Sequence, residues 1–172
     1  MKTAKLIIDG KEIEIQINEE QLEQLCPQKK KTGYEKATKE NPIFFFDLGT
    51  GYITDSYDLG VESGSDNNAY IAANYYTSET VAKNNARVDK LMRQLRRFAV
   101  EHREKELGWG NKNQRKWYIA YDYYNNHIVL DWTQGRKIHG VVYFDSNLSA
   151  ELAINTFKDE LIWYFKVYKD SL

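Results

Sequence analysis

Two periods of apolar and polar positions alternate along this chain, and the switches between them lay out its elements. Leu6-Ile7-Ile8, Asp9-Gly10 and Ile13-Glu14-Ile15-Gln16-Ile17 read as two strands joined by a tight turn, because Asp-Gly accepts the positive φ of a two-residue hairpin loop. Asn18 is placed to cap a short helix with Glu20 and Gln21 in its first turn and Leu22 and Leu25 behind them, ended by Pro27. Residues 28–40 are charged and aperiodic, which predicts a linker. Residues 1–27 are thus expected to form a small appendage.

From residue 41 the pattern changes. Ile43-Phe44-Phe45-Phe46 is a buried-strand run, Asp47 to Gly51 a glycine-rich turn and Tyr52-Ile53-Thr54 the return strand. A polar loop is expected over residues 57–68, followed by the apolar stretch Tyr70 to Tyr76. Thr77-Ser78-Glu79 then opens a helix to about His102, a hydroxyl capping it and an early acid suiting its positive end. The second half repeats the order. Trp117 to Tyr121 and Ile128 to Trp132 are paired strands around Asn125-Asn126, Val141 to Phe144 follows, and Asp145-Ser146 caps a last helix.

Superposing the halves sets Tyr75-Tyr76-Thr77-Ser78 on Tyr143-Phe144-Asp145-Ser146, Ala82 on Ala150, and Phe98 within one position of Phe165. This predicts an α+β domain over residues 41–172, with antiparallel sheets and two long amphipathic helices in a tandem repeat of units at about 41–106 and 114–170. The alternative is two unrelated segments that share common capping chemistry.

Both helices have a clear apolar side. In the first, Val81, Val88, Leu91, Met92, Leu95, Phe98 and Ala99 share one face, with Lys83, Arg87, Lys90 and Arg97 nearly opposite. Between Lys83 and Arg97 there are six basic residues, Arg93 and Arg96 included, against the single acid Asp89. The face built on Lys83, Arg87, Lys90, Arg93 and Arg97 is suited to phosphates or an acidic protein surface; the alternative is a solvated face paired with nearby acids. In the last helix, Ala150, Ala153, Ile154, Phe157, Leu161, Tyr164, Phe165 and Tyr168 form the core side. Leu148, Leu152 and Trp163 fall elsewhere and require cover, from the N-terminal hairpin, a second subunit in a homodimer, or a target protein.

The formal net charge of −1 excludes both a polyanionic mimic of nucleic acid and a basic protein that coats it, so electrostatic function must be local. Aromatic residues at 14%, thirteen of them tyrosine, mark a packed chain. The single cysteine, Cys26, leaves no internal disulfide and no cysteine-based zinc site. The first apolar stretch is too short for a signal-peptide core and no segment has the length of a membrane span; no membrane association and a cytoplasmic location are expected.

Catalytic chemistry is sparse. His102, His127 and His139 show no metal-ligand spacing, although a site of His127, Asp131 and His139 on neighbouring strands is geometrically conceivable. Gly49-Thr50-Gly51 lacks the lysine and following helix of a phosphate loop. Trp117, Tyr118, Tyr121, Tyr123, Tyr124 and Trp132, near Lys112, Arg115 and Lys116, could stack bases, but strand alternation sends at most half to an exposed face. No cofactor, metal or catalytic residue is expected.

The order of Gly33-Tyr34-Glu35, Phe44-Phe45-Phe46-Asp47, Tyr75 to Ala82, Leu91 to Ala99, Trp117 to Asp122 and Val142 to Ser146 resembles a family of small proteins of phages and prophages of Gram-positive and gut bacteria. The resemblance covers nearly everything after the linker and lies in strand, cap and helix motifs. It implies a non-enzymatic interaction protein, similar to anti-CRISPR inhibitors, that binds the protein or guide RNA of a defence ribonucleoprotein such as Cas9. A nucleic-acid-binding module using the basic helix and aromatic hairpin is the alternative, with RNA or DNA as partner.

Overall fold

The computed structural model describes residues 2–8, 11–18, 20, 21, 24, 31–37, 42–48, 50–57 and 64–168. Strands β1 (Lys2–Ile8) and β2 (Lys11–Ile17) pair antiparallel with Ile8 opposite Lys11, leaving two residues for the connection. The Asp9-Gly10 turn itself lies outside the described residues. Asn18 Oδ1 accepts from the Gln21 amide at 2.8 Å while Gln21 Oε1 accepts from the Asn18 amide at 3.0 Å, a reciprocal cap at the start of the expected short helix. Leu22, Leu25, Cys26 and Pro27 lie outside the described residues.

The rest of the chain is mixed α+β with small antiparallel sheets. Its first half holds β3 (Pro42–Asp47) and β4 (Tyr52–Tyr57), paired antiparallel, then α1 (Ser65–Ile71) and the long helix α2 (Glu79–Glu101). The second half holds β5 (Lys116–Asp122), β6 (His127–Thr133), β7 (Tyr143–Phe144), α3 (Asn147–Thr156) and α4 (Lys158–Trp163), with the sheet order β6-β5-β7.

The halves share one plan. In each, the first strand of a hairpin is flanked on its free side by the residues that lead into the helix: Phe44 bridges antiparallel to Tyr76, and Trp117 pairs antiparallel with Phe144. In each, a serine then caps the helix, Ser78 for α2 and Ser146 for α3. Tyr76 and Phe144 are buried, as are Ala82 and Ala150 six residues beyond them. Alanine at these positions lets the first helical turn lie close on the sheet.

The first half closes its sheet differently from the expectation. Ser65–Ile71 is helical where a polar loop and the start of an apolar stretch leading into the helix were expected, and the chain turns at Ala73 with φ +54°. Among the described residues of this stretch, Tyr76 alone bridges to the sheet by its backbone. Beside it the Asn74 side chain takes the place of a strand, accepting from the Phe46 amide at 2.9 Å and donating to the Phe46 carbonyl at 2.8 Å.

The main core lies between the three-stranded sheet and the helices. Leu91, Leu95, Phe98 and Ala99 of α2 meet Ile119, Phe144, Ala150, Ala153, Leu161 and Phe165. Ile43, Tyr75 and Tyr76 are buried in the first half. The apolar faces read from periodicity in both helices are the ones that pack.

The last helix, expected to be continuous, is broken at Phe157 (φ −113°, ψ 24°) and ends in a π-helical turn, Tyr164–Tyr168. Asn155 and Thr156 are weak helix formers, and the Thr156 hydroxyl donates to the Leu152 carbonyl at 2.8 Å, a back-bond that bends helices. At the corner the Phe157 ring sits edge-on to Phe98, 5.6 Å between centroids.

Residues 31–37, part of the expected linker, form a strap held to the start of α2. The Gly33 carbonyl accepts from the Thr77 amide at 2.8 Å, and the Ala37 amide donates to the Tyr75 hydroxyl at 2.9 Å. The Asn85 amide group donates to the Tyr34 hydroxyl at 2.8 Å, and the Tyr168 hydroxyl donates to Asn85 Oδ1 at 3.1 Å. One asparagine thus ties the strap, α2 and the C-terminal turn together. Sequence polarity marked the strap as solvated; its anchors are single polar groups distant in sequence, which periodicity does not register.

Candidate functional site

The basic face of α2 is only partly free. Lys83 pairs with Glu79 at 2.7 Å and Arg97 with Glu101 at 3.3 Å, each one helical turn away. Arg87 reaches the second half, where Nε and Nη2 donate to the two oxygens of Glu160 at 2.8 and 3.0 Å, and its guanidinium lies 3.9 Å from the Trp163 ring centroid. The Arg87 bond holds the Glu160 carboxyl below its ordinary range, against a smaller opposing effect of burial. Lys90 and Arg93 form no ion pair among the described residues; the Arg93 guanidinium lies 5.9 Å from the Phe46 ring. Of the five basic residues singled out in the sequence, two are therefore available, two are paired within their own helix, and Arg87 joins the two repeats.

Lys90 and Arg93 face a groove of about 900 Å³ at the junction of the repeats. Its first-half wall is Phe46, Gly51, Ala86, Arg87, Lys90, Arg93 and Gln94; its second-half wall runs from Asn155 to Glu160 through the Phe157 corner. The helix break therefore shapes the groove, and it brings in Lys158, which the basic-face pattern on α2 could not reveal. Asp159 and Glu160 also line it. The Arg87 and Glu160 charges offset one another, leaving Lys90, Arg93 and Lys158 against Asp159.

The apolar patch expected from Leu148, Leu152 and Trp163 divides. Trp163 is half-buried beneath Arg87 and beside Tyr168, while Leu148 and Leu152 remain exposed. The helical projection treated the three as one surface on a straight helix; the break at Phe157 places Trp163 in a separate segment, where an arginine covers it.

The aromatic hairpin is mostly structural. Trp117 and Tyr121 pack against the main core, and Tyr121 stacks on Phe165 at 5.3 Å. Tyr118 turns to the other face and donates to Asp131 at 2.6 Å; burial first, and then this bond, push its phenol up to about 12. Arg115 covers Trp132 at 4.5 Å. Lys116 is fully buried, its three ammonium protons directed at the carbonyls of Gln134 (2.9 Å), Gln114 (2.9 Å) and Asn111 (3.0 Å). This lysine, suggested by sequence as a neighbour of a nucleic-acid surface, instead fastens the loop before β5 to the end of β6.

Among the described residues no three of His, Cys, Asp and Glu come together in a metal-binding group, so His127, Asp131 and His139 do not form one site. Among the same residues, no helix is long and apolar enough to cross a membrane. Comparison of the chain with protein-family models, with curated proteins and with solved structures finds no match.

Proposed function

We propose that this chain is a phage-type, non-enzymatic interaction protein of the bacterial cytoplasm that blocks a defence ribonucleoprotein, with a guide-RNA-loaded nuclease such as Cas9 as its target. The observation that carries the reading is the groove between the repeats, where Lys90, Arg93 and Lys158, with no ion pair among the described residues, stand on helices from both halves. An inhibitor of this kind needs a shaped, charged surface and no buried reactive centre. The resemblance of the strand and cap motifs to small prophage proteins supplies the biological setting.

The groove also changes the balance between the two readings weighed from sequence. The aromatic hairpin offers a nucleic acid little, since Trp117 is half-buried against the core, the face of Tyr121 is stacked on Phe165 and the Tyr118 hydroxyl is engaged. Contact through α2 and the Phe157 corner is favoured.

Purified protein mixed with guide-loaded Cas9 before addition of target DNA is expected to suppress cleavage, and the double variant Lys90→Glu/Arg93→Glu to relieve the suppression at least tenfold. Undiminished cleavage in the presence of excess wild-type protein would overturn the proposal.

A further inference from the structure

We infer that the groove between the repeats binds a short stretch of single-stranded nucleic acid, with phosphates on Lys90, Arg93 and Lys158 and bases against Phe46 and Phe157. This deepens the reading of the same groove given above and relies on it for the place of contact.

Three features carry the inference. The first is charge: the chain as a whole is almost neutral, yet three cations with no ion pair among the described residues meet here from both repeats. Because Arg87 is held by Glu160 and covers Trp163, it serves the frame of the groove, and Lys90, Arg93 and Lys158 remain to meet an anion. The second is the presence of two half-buried aromatic rings, Phe46 and Phe157, in the same lining. Cations that track a backbone beside rings that accept bases are the combination used for single strands; a duplex keeps its bases stacked on one another and gives such rings nothing to hold.

The third feature is the polar inventory and the shape. Gln94 and Asn155 bring side-chain amides, which both donate and accept and so suit the edges of unpaired bases. A volume of about 900 Å³, near the top of the range of roughly 300–1,000 Å³ for small-molecule sites, comes with an open lining of mixed polar and apolar character. A small apolar ligand would leave those cations and amides unsatisfied, whereas a strand can pass through.

The test is fluorescence anisotropy with labelled twelve-nucleotide oligouridylate RNA and oligothymidylate DNA, on the full chain. Binding is expected to weaken with salt with a log–log slope of about −2, from three phosphate contacts on a single strand. Lys90→Glu/Arg93→Glu should lower affinity at least tenfold. Phe46→Leu keeps apolar bulk but removes the ring, and should lower it about fivefold with an unchanged melting temperature. Lys166→Glu, on the exposed side of the C-terminal turn, should leave it unchanged. Binding of RNA alone, DNA alone or both upholds the inference and identifies the source of the strand.

Absence of binding to either oligonucleotide overturns it, as does binding indifferent to Lys90→Glu/Arg93→Glu, or displacement by polyglutamate but not by unlabelled oligonucleotide. If neither oligonucleotide binds while nuclease inhibition still depends on Lys90 and Arg93, this inference fails and the functional proposal stands. If oligonucleotides bind in the groove but the nuclease is not inhibited, the inference stands and the functional proposal fails.

Discussion

Arg87 lies over the ring of Trp163 at 3.9 Å, so a cation from the first repeat covers an indole from the second. The same guanidinium forms a two-pronged pair with Glu160. Trp163 is thereby kept from presenting an apolar patch, and Arg87 is fixed at the groove's edge rather than free within it.

Replacement of Arg87 by alanine is expected to lower stability by about 1–1.5 kcal/mol, combining a cation–π contact with a half-exposed ion pair that solvent screens. Denaturant unfolding followed by tryptophan fluorescence checks this. Exchanging the charges in Arg87→Glu/Glu160→Arg should restore part of the loss, whereas Glu160→Arg alone should not. Equal stability of the double variant and Glu160→Arg would show that the pair does not link the repeats.

Gly33 is required where it stands. Its φ of +87° is left-handed, and an added Cβ would meet Val81 Cγ2 at 2.8 Å and Ser78 Cβ at 3.0 Å. Gly33→Ala should cost about 1–3 kcal/mol locally and free the strap from α2. Faster tryptic cleavage after Lys31 and Lys36, with the α2 helix intact by circular dichroism, is the expected readout.

The strap is also sensitive to acid. The Glu35 carboxylate accepts from the amide and hydroxyl of Thr32 and from the Gly33 amide, and the Thr77 hydroxyl donates to it at 3.1 Å; the Thr32 amide is the largest cause of a pKa lowered to about 2. Because the folded value lies below the ordinary value of 4.5, the anchoring is complete above the unfolded pKa and is lost as pH falls from about 4.5 through about 2. Hydrogen exchange at Gly33 and Thr77 should accelerate across that window, after allowance for intrinsic rates. Glu35→Gln should show faster exchange at neutral pH and a flatter dependence; an unchanged profile in Glu35→Gln would exclude the carboxylate as the anchor.

Lys116 is fully buried and has no carboxylate partner among the described residues. Three carbonyls meet its three donors, so Lys116→Met leaves Asn111, Gln114 and Gln134 facing an apolar chain, and should cost about 3 kcal/mol. Thermal melts should place Lys116→Met well below the exposed control Lys112→Met, which should match wild type. Equal melting temperatures would refute the fastening role.

The way these residues were hidden explains what the sequence could reveal. Periodicity reports burial summed over many positions, so the faces of α2 and the order of strands, caps and helices were legible, and the matched pairs Tyr76 with Phe144 and Ala82 with Ala150 could be aligned. Lys116, Glu35 and Asn85 each act through a few directed hydrogen bonds, at least one of them to a group remote in sequence, and their local patterns read as ordinary polar surface. The groove depended on one break, at Phe157, that a straight helical projection cannot represent. Projection placed Lys90 on the outer face, where it is exposed, but the partners of Lys83 and Arg97 and the contribution of Lys158 required three dimensions.

The repeat permits a comparison within one molecule, because Ser78 and Ser146 occupy the same capping position at unequal quality. Ser146 Oγ accepts from the Ser149 amide at 3.2 Å and donates to Ser149 Oγ at 3.1 Å, whereas Ser78 Oγ stands 3.5 Å from the Val81 amide, at the limit of a useful bond. Asp145 reinforces the second cap: burial pulls its carboxyl upward, but the amides of Lys105 and Glu104 outweigh it and hold it below the usual range, and it also accepts from Ser149 Oγ at 3.2 Å. Ser146→Ala should therefore cost about 1–2 kcal/mol and Ser78→Ala about 0.5 kcal/mol. The strap at Gly33 and Thr77 gives the first turn of α2 a second anchor, as Asp145 does for α3. In Gly33→Ala, where that anchor is weakened, Ser78→Ala should cost more than it does in wild type, and a double-mutant cycle should read a coupling of about 0.5 kcal/mol or more. Strict additivity of the two substitutions would mean that the strap and the serine cap stabilise α2 independently.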